Sequence, residues 1–253
     1  MSRTSEGDKE MAILSVFLVG LTADEIIRGV EDLLRGMTSR GTYRMEVIRP
    51  DYQTSYEMRS WDERDGDRSL TVITKSSTGK DDGTVFLKTG GNLWMYLPKA
   101  GKKLRMPPSM MMDPWMGSDL TNDDLVHESS ISEDYESRIV SEETVSGGTR
   151  YTLELVPHED APVVWGKIIL VIDMPGYVAV RGDYYDEDGK RVRTINYSGV
   201  KTLGGRKLPT VMEVIPGDKK GQKTIFTIID ISFNVPISDD HFDVDQMERW
   251  SEE

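Results

Sequence analysis

The sequence contains no cysteine and only three histidines, His127, His158 and His241, which lie far apart along the chain. The absence of cysteine excludes disulfide bonds, thiolate metal sites and cysteine nucleophiles. Histidines at these separations do not form the closely spaced ligand pairs that metal sites use. We therefore expect no metal and no cofactor. The lack of cysteine is compatible with both the cytosol and the periplasm.

The chain also lacks an excess of basic residues and the short motifs of common enzymes. Its net charge is −13, and no dense Lys/Arg cluster offsets this, which argues against a nucleic-acid-binding surface. Neither a G-x-S-x-G turn nor a glycine-rich phosphate loop is present. Asp183–Gly189 ends in Asp-x-Asp-Gly, but a calcium loop there would need Tyr184 and Ile195 as ligands, so we interpret it as a hairpin turn. Acidic pairs such as Asp123-Asp124 resemble helix caps and turns. Because no catalytic motif is found, an enzyme is the least favoured function.

Long hydrophobic runs are missing as well. The apolar stretch Met11–Leu21 is too short to span a bilayer and has the length of a signal-peptide core. Ala23 offers a plausible cleavage position, although the residues before the stretch carry more acids than bases. We expect residues 1–23 to be the leader of an exported protein; the alternative is a short apolar helix packed on the domain. The rest divides into a single domain, residues 24–245, and an acidic tail, residues 246–253.

The chain does contain one helical pattern followed by many strand patterns. Thr22 to Glu25 has the form of a capping box, and apolar residues recur at helical spacing from Ile26 to Met37. From Tyr43 onwards the period changes to two. We expect a mainly β (α+β) protein in which about 10–11 antiparallel strands curl into an unclosed β-barrel, because long twisted sheets curl. The N-terminal helix and short helices within residues 108–130 would cover its concave face.

A stretch near the middle combines a strongly apolar strand with a group of methionines. The strand Gly90–Pro98 carries large apolar side chains on both faces, and five of the 14 methionines lie between Met106 and Met116. Methionine adapts to surfaces of varied shape, so we expect a lid over an apolar cavity. The predicted ligand-binding residues are Trp94, Tyr96, Met106, Met110, Met111, Met112, Trp115, Met116, Ile27 and Leu34. A strand and a helix in an ordinary core explain the same residues equally well.

Several motifs together resemble those of the LolA-like family of outer membrane lipoprotein-sorting proteins. They are Ala23–Ile27, Gly91–Pro98, Pro108–Asp119, Thr121–Leu125, Val164–Lys167, Tyr185–Gly189 and Phe233–Pro236. The block from Trp94 to Leu125 is the most specific, and it is similar to that of the larger members.

The resemblance implies an unclosed barrel with a helical lid and a cavity for acyl chains, in the periplasm of a Gram-negative bacterium. It implies a carrier that moves a lipoprotein or a lipid towards the outer membrane, with membrane-bound donor and acceptor proteins as partners. A lipid-sensing or accessory protein of an envelope transporter or signalling system would use the same cavity. Burial of an acyl chain contributes about 0.8 kcal/mol per methylene. A lid that loses its own contacts when cargo enters would offset part of this.

Overall fold

One large antiparallel sheet dominates the computed structural model, which describes residues 20–127, 131–161 and 163–252. Within these residues the sheet has thirteen strands in the order β6-β5-β4-β3-β2-β1-β13-β12-β11-β10-β9-β8-β7. Neighbours in the sheet are neighbours in the chain except at the centre, where β1 pairs with β13. The sheet is not closed into a barrel. The predicted fold class is confirmed, with more strands than expected.

The elements alternate between long strands and short connections. The strands are β1 (Thr38–Ile48), β2 (Gln53–Glu63), β3 (Arg68–Ser76), β4 (Val85–Thr89), β5 (Asn92–Leu97), β6 (Lys102–Arg105), β7 (Tyr135–Val145), β8 (Gly148–Pro157), β9 (Lys167–Met174), β10 (Val178–Tyr185), β11 (Arg191–Leu203), β12 (Arg206–Pro216) and β13 (Lys223–Phe233). The α-helices are α1 (Ala23–Leu34), α2 (Asn122–His127), α3 (Ile131–Asp134) and α4 (Met247–Ser251). None of the helices in the described residues is long and apolar enough to cross a membrane.

Helix α1 starts at the capping box that the sequence predicts. The backbone N–H of Glu25 donates to Thr22 Oγ1 at 3.2 Å, and the N–H of Thr22 donates to the Glu25 carboxylate at 2.8 Å. Ile26 and Ile27 are 0% and 2% exposed because the apolar stripe of α1 packs on the sheet. The predicted leader, residues 1–23, lies outside the described residues except for its last four.

Helix α1 and residues 106–126 cover the same face of the sheet, which we call the inner face. Residues 106–126 are called the covering segment. Cross-strand pairing places Met212 beside Phe226, Phe226 beside Met45, and Met45 beside Tyr56, so one apolar row runs from β12 to β2. Helix α1 packs on β7 to β12, and the covering segment packs on β1 to β5.

The opposite, outer face of β2 to β5 is also buried, beneath the C-terminal residues 239–252. This outer cluster consists of Trp61, Leu70, Val72, Val85, Leu87 and Tyr96 from the sheet with Phe242, Met247 and Trp250. Met247 and Trp250 are 0% and 5% exposed. Residues 246–252, set apart in the sequence as an acidic tail, are therefore part of the packed domain.

Candidate functional site

The covering segment leaves the sheet after β6 and crosses the inner face without adding a strand to it. Consecutive prolines at 107 and 108 oppose a regular helix, and the chain forms 3-10 turns at Pro108–Met110 and Trp115–Gly117 before α2. Backbone N–H groups of Trp115 and Asn122 donate to the carbonyls of Leu120 and Asp113 at 2.8 and 3.1 Å. Apart from the backbone N–H of Met106, which donates to the Leu93 carbonyl at 2.8 Å, the segment is thus a compact folded unit held on the sheet through side chains.

The underside of the covering segment is apolar and rich in methionine. Trp115 is 4% exposed and meets the ring of Phe86 edge to face, with ring centroids 5.6 Å apart. The segment contributes Met106, Met111, Trp115, Met116, Leu125 and Val126 to the cluster on this half of the inner face. The indole Nε1 of Trp115 is buried and has no hydrogen-bond partner among the described residues. The segment therefore covers the inner face mainly by apolar contact.

The first polar anchor of the covering segment is an ion pair between Asp119 and Arg49. The guanidinium of Arg49 lies 3.0 Å from the Asp119 carboxylate, with side chains only 9% and 4% exposed. The same guanidinium donates to the Gly117 carbonyl at 2.6 Å. The hydroxyl of Thr224 donates to the Asp119 carboxylate at 2.7 Å. This anchor ties the segment to the end of β1 and to β13.

The second anchor joins Asp124, in α2, to Arg193 in β11. Two guanidinium nitrogens donate to the two carboxylate oxygens, each at 2.7 Å. The guanidinium also lies over the rings of Trp165 and Tyr184, 4.4 and 4.6 Å from their centroids. Burial opposes ionisation of Asp124, but the hydrogen bonds and charge of Arg193, together with hydrogen bonds from Thr121, outweigh it and hold the pKa of this carboxyl below its usual value.

Asp124 also closes a second capping box. The backbone N–H of Thr121 donates to the Asp124 carboxylate at 2.8 Å, and the N–H of Asp124 donates to Thr121 Oγ1 at 3.2 Å. This confirms the helix start predicted from Thr121-Asn122-Asp123-Asp124. The same carboxylate therefore starts α2 and anchors it to the sheet.

The structure separates the predicted ligand-binding residues into four groups. Met106, Met111, Trp115 and Met116 lie beneath the covering segment, and Ile27 and Leu34 lie in the cluster under α1. Trp94 and Tyr96 belong to the outer cluster beneath the C-terminal residues. Met110 and Met112 are 40% and 53% exposed. A ligand-binding role for these residues stays a prediction, and the geometry supports it best for the first group.

Sequence reasoning missed the four anchor residues, although strand periodicity carries a signal for two of them. Arg49 continues the alternation of Met45 and Val47, and Arg193 stands two positions before buried Ile195. A cation at an inward position of a strand needs a buried partner. Nothing in the sequence says which carboxylate that partner is.

A separate cleft of about 560 Å³ lies beside α1. It is lined by Leu21, Leu33 and Tyr177 together with Arg28, Asp32 and Arg206. Gly29 is required there because an added Cβ would lie 2.2 Å from the Tyr177 ring. The cleft contains none of the predicted ligand-binding residues. Within the described ranges, no three His, Asp or Glu side chains are grouped closely enough to hold a metal ion.

Comparison with known proteins places the chain in a family. A family model described as an uncharacterized protein matches residues 65–249, which is well over half of the chain. This range contains the covering segment and three of the four anchor residues. No curated protein matches the chain.

Solved structures show the same fold at low sequence identity. A DUF1329 family protein from Desulfovibrio piger has a TM-score of 0.77 and 21% identity, covering 87% of this chain and 95% of that one. A putative outer membrane lipoprotein-sorting protein domain from Vibrio parahaemolyticus has a TM-score of 0.75 and 22% identity, covering 90% and 98%. A LolA superfamily protein from Nitrosomonas europaea has a TM-score of 0.72 and 18% identity, covering 88% and 98%. The chain therefore belongs to the uncharacterized family whose model it matches, and its fold is the LolA-like fold that these structures share.

Proposed function

We propose that the protein binds the acyl chains of a lipoprotein or lipid between the inner face and the covering segment and carries them towards the outer membrane. The observation that carries the proposal is the covering segment itself. Beyond Met106 it buries an apolar sheet face without backbone pairing to the sheet, through methionines and one tryptophan. An acyl chain offers the same kind of surface as those side chains, so it can take their place on the inner face.

The mechanism is an exchange of apolar contacts. When the covering segment lifts, Trp115 and Met111 lose contact with the sheet, and an acyl chain that enters regains the buried area. An acyl chain contributes about 0.8 kcal/mol per buried methylene, so a carrier without such an exchange would hold its cargo too tightly to release it. The contacts given up by the segment lower the net affinity and allow release.

The anchors make the exchange possible without unfolding the sheet. A buried ion pair contributes little net stability compared with apolar packing, because desolvation of the charges offsets their attraction. On opening, water can solvate Asp119, Asp124 and their arginine partners. The opposite charges then attract each other less, but none of them is left buried without a partner. The pairs thereby fix where the segment closes while leaving the energy difference between its two positions small.

The decisive experiment is mass spectrometry of lipid that co-purifies with the native protein, followed by titration with a fluorescent fatty acid. Bound fatty acid should shift the emission of Trp115, which lies on the inner face. Replacement Trp115→Phe should abolish that shift. The matched control Trp250→Phe, in the outer cluster, should keep it. An unchanged shift in Trp115→Phe, or no binding of fatty acid by the folded protein, would reject the proposal.

Export is part of the same proposal, with residues 1–23 as the leader. The capping contacts of Thr22 bear on the expected cleavage after Ala23. A cut after Ala23 removes this cap, whose loss typically destabilises a helix by about 0.5–2 kcal/mol. N-terminal sequencing of protein from a periplasmic extract tests this, and an intact Met1 in the cytosol would contradict it.

A further inference from the structure

We propose that the free edge of β6, together with the exposed methionines of the covering segment, is a docking surface for an anionic lipid bilayer. β6 is the last strand at one end of the sheet. The chain runs directly from it into the covering segment. Residues 99–113 are exposed at most positions.

The first observation is a local excess of positive charge on an acidic protein. The chain has a net charge of −13, yet Lys99, Lys102, Lys103 and Arg105 fall within seven residues. Asp113 is the only carboxylate between positions 99 and 113. Such a group is too small to indicate nucleic-acid binding, but it concentrates four cations at one edge of the sheet.

These cations are not neutralised by ion pairs among the described residues. Lys99 and Lys103 donate to the backbone carbonyls of Gly79 and Asp245 at 2.9 and 2.8 Å. Arg105 donates to the side-chain oxygen of Asn92. Lys99 also lies in the field of Asp82 and helps to lower the pKa of that carboxyl, after the larger effect of Ser76. The remaining positive charge is available to an anionic partner.

The second observation is exposed apolar surface beside this charge. Leu104, Met110 and Met112 are 42%, 40% and 53% exposed. Cations next to apolar side chains are the combination that binds membrane interfaces. The cations attract anionic headgroups, and the apolar groups enter the boundary between headgroups and acyl chains.

Lysines at a sheet edge have a simpler role, which is to prevent pairing with other strands. That role explains Lys102 and Arg105 but gives no reason for exposed methionines on the adjoining segment. Single exposed apolar side chains are common on protein surfaces, but here several of them adjoin a group of cations. Charge and apolar exposure together favour the bilayer as the occupant. The purpose of docking, transfer of acyl chains at the membrane, rests on the proposed function; the surface itself does not.

Flotation of the full chain with phosphatidylcholine vesicles, with and without phosphatidylglycerol, tests the proposal. We expect binding only to vesicles that contain phosphatidylglycerol, and weaker binding as salt is raised. Lys102→Glu/Arg105→Glu should weaken binding by at least about 25-fold, since each of the two cations lost contributes about fivefold near an anionic surface. The control Lys219→Glu/Lys220→Glu changes the net charge equally, in an exposed turn between β12 and β13, and should bind nearly as the wild type does.

The apolar part is tested with Met110→Gln/Met112→Gln, which should weaken vesicle binding while keeping its salt dependence. The proposal is overturned if the wild type does not float with phosphatidylglycerol vesicles, as expected for a surface that binds an acidic protein instead. It is also overturned if the control variant loses as much binding as the edge variant. Fatty-acid titration of the wild type separates the two proposals. Normal fatty-acid binding without vesicle binding rejects only the docking surface, and the reverse result rejects only the carrier.

Discussion

Strands β2 to β5 are covered on both faces, and the two covers differ in chemistry. On the outer face, Trp250 stacks on His241 with ring centroids 3.9 Å apart, and it lies 6.0 Å from Trp61. The indole N–H of Trp250 donates to the Asp240 carbonyl at 3.1 Å. On the inner face, the covering segment packs through methionines and Trp115, whose indole N–H has no partner among the described residues.

The outer cover has the chemistry of a permanent cover, and the inner cover has a chemistry suited to exchange. Rigid aromatic rings with satisfied polar groups define one packing arrangement. Methionines pack acceptably in several arrangements, and the ion pairs at Asp119 and Asp124 fix the position of the segment without adding much stability. Under the proposed function, the same strands keep one face closed while the other face exchanges the covering segment for an acyl chain.

The largest effect should come from the outer cover. Replacement Trp250→Ala removes a buried aromatic side chain and should lower the free energy of unfolding by about 3–5 kcal/mol. Urea denaturation measures this loss. Fatty-acid binding by the folded variant should be unchanged because the proposed cargo site lies on the inner face. A variant as stable as the wild type would show that the C-terminal residues are not part of the core.

Breaking an inner anchor should have a somewhat smaller and more local effect. Replacement Arg193→Met leaves Asp124 buried without its partner, at a loss of about 3 kcal/mol. Hydrogen exchange should show faster opening of the covering segment than of β1. The control Arg150→Met breaks the half-exposed pair with Asp173 and should cost less than about 1 kcal/mol. Equal losses in the two variants would refute the anchor role.

Substitutions of two neighbouring methionines in the covering segment should differ in their effect on stability. Met111 packs on the inner-face cluster, whereas Met112 is 53% exposed. Replacement Met111→Ser should destabilise the protein by about 2 kcal/mol, towards the low end for core changes. Met112→Ser should stay within about 0.5 kcal/mol. Met111→Ser should also weaken fatty-acid binding; a large stability loss with unchanged binding would make the segment part of an ordinary core.

The smallest expected effect concerns how the closure of the covering segment depends on pH. The folded-state pKa of Asp124 lies below the unfolded value of about 3.9. The anchor's contribution is therefore complete above the unfolded value and is lost as the pH falls through the folded one. Acid titration followed by Trp115 emission should show the covering segment loosening below about pH 4. Asp124→Asn should lack this component, and an identical titration in the variant would exclude Asp124 as its source.

The fold was largely predictable because its signals are local. Both capping boxes and the alternation of strands such as β1 can be identified from residues close in the chain. The faces were harder to assign. Apolar residues occupy both sides of β5, so periodicity could not say that Leu93 would lie inside and Trp94 outside. The anchors depend on contacts such as that of Asp124 with Arg193, 69 residues apart, and no local pattern encodes such a pairing.

The pairing of β1 with β13 has a consequence for how the chain folds. Every other neighbour in the sheet is joined through a connection between consecutive strands. The central seam instead joins residues such as Met37 and Asn234, which are 197 positions apart. Closing so long a loop is entropically unfavourable and makes folding slow. The central edge of β1 stays unpaired until β13 has been made, so the sheet is completed only after that strand is present.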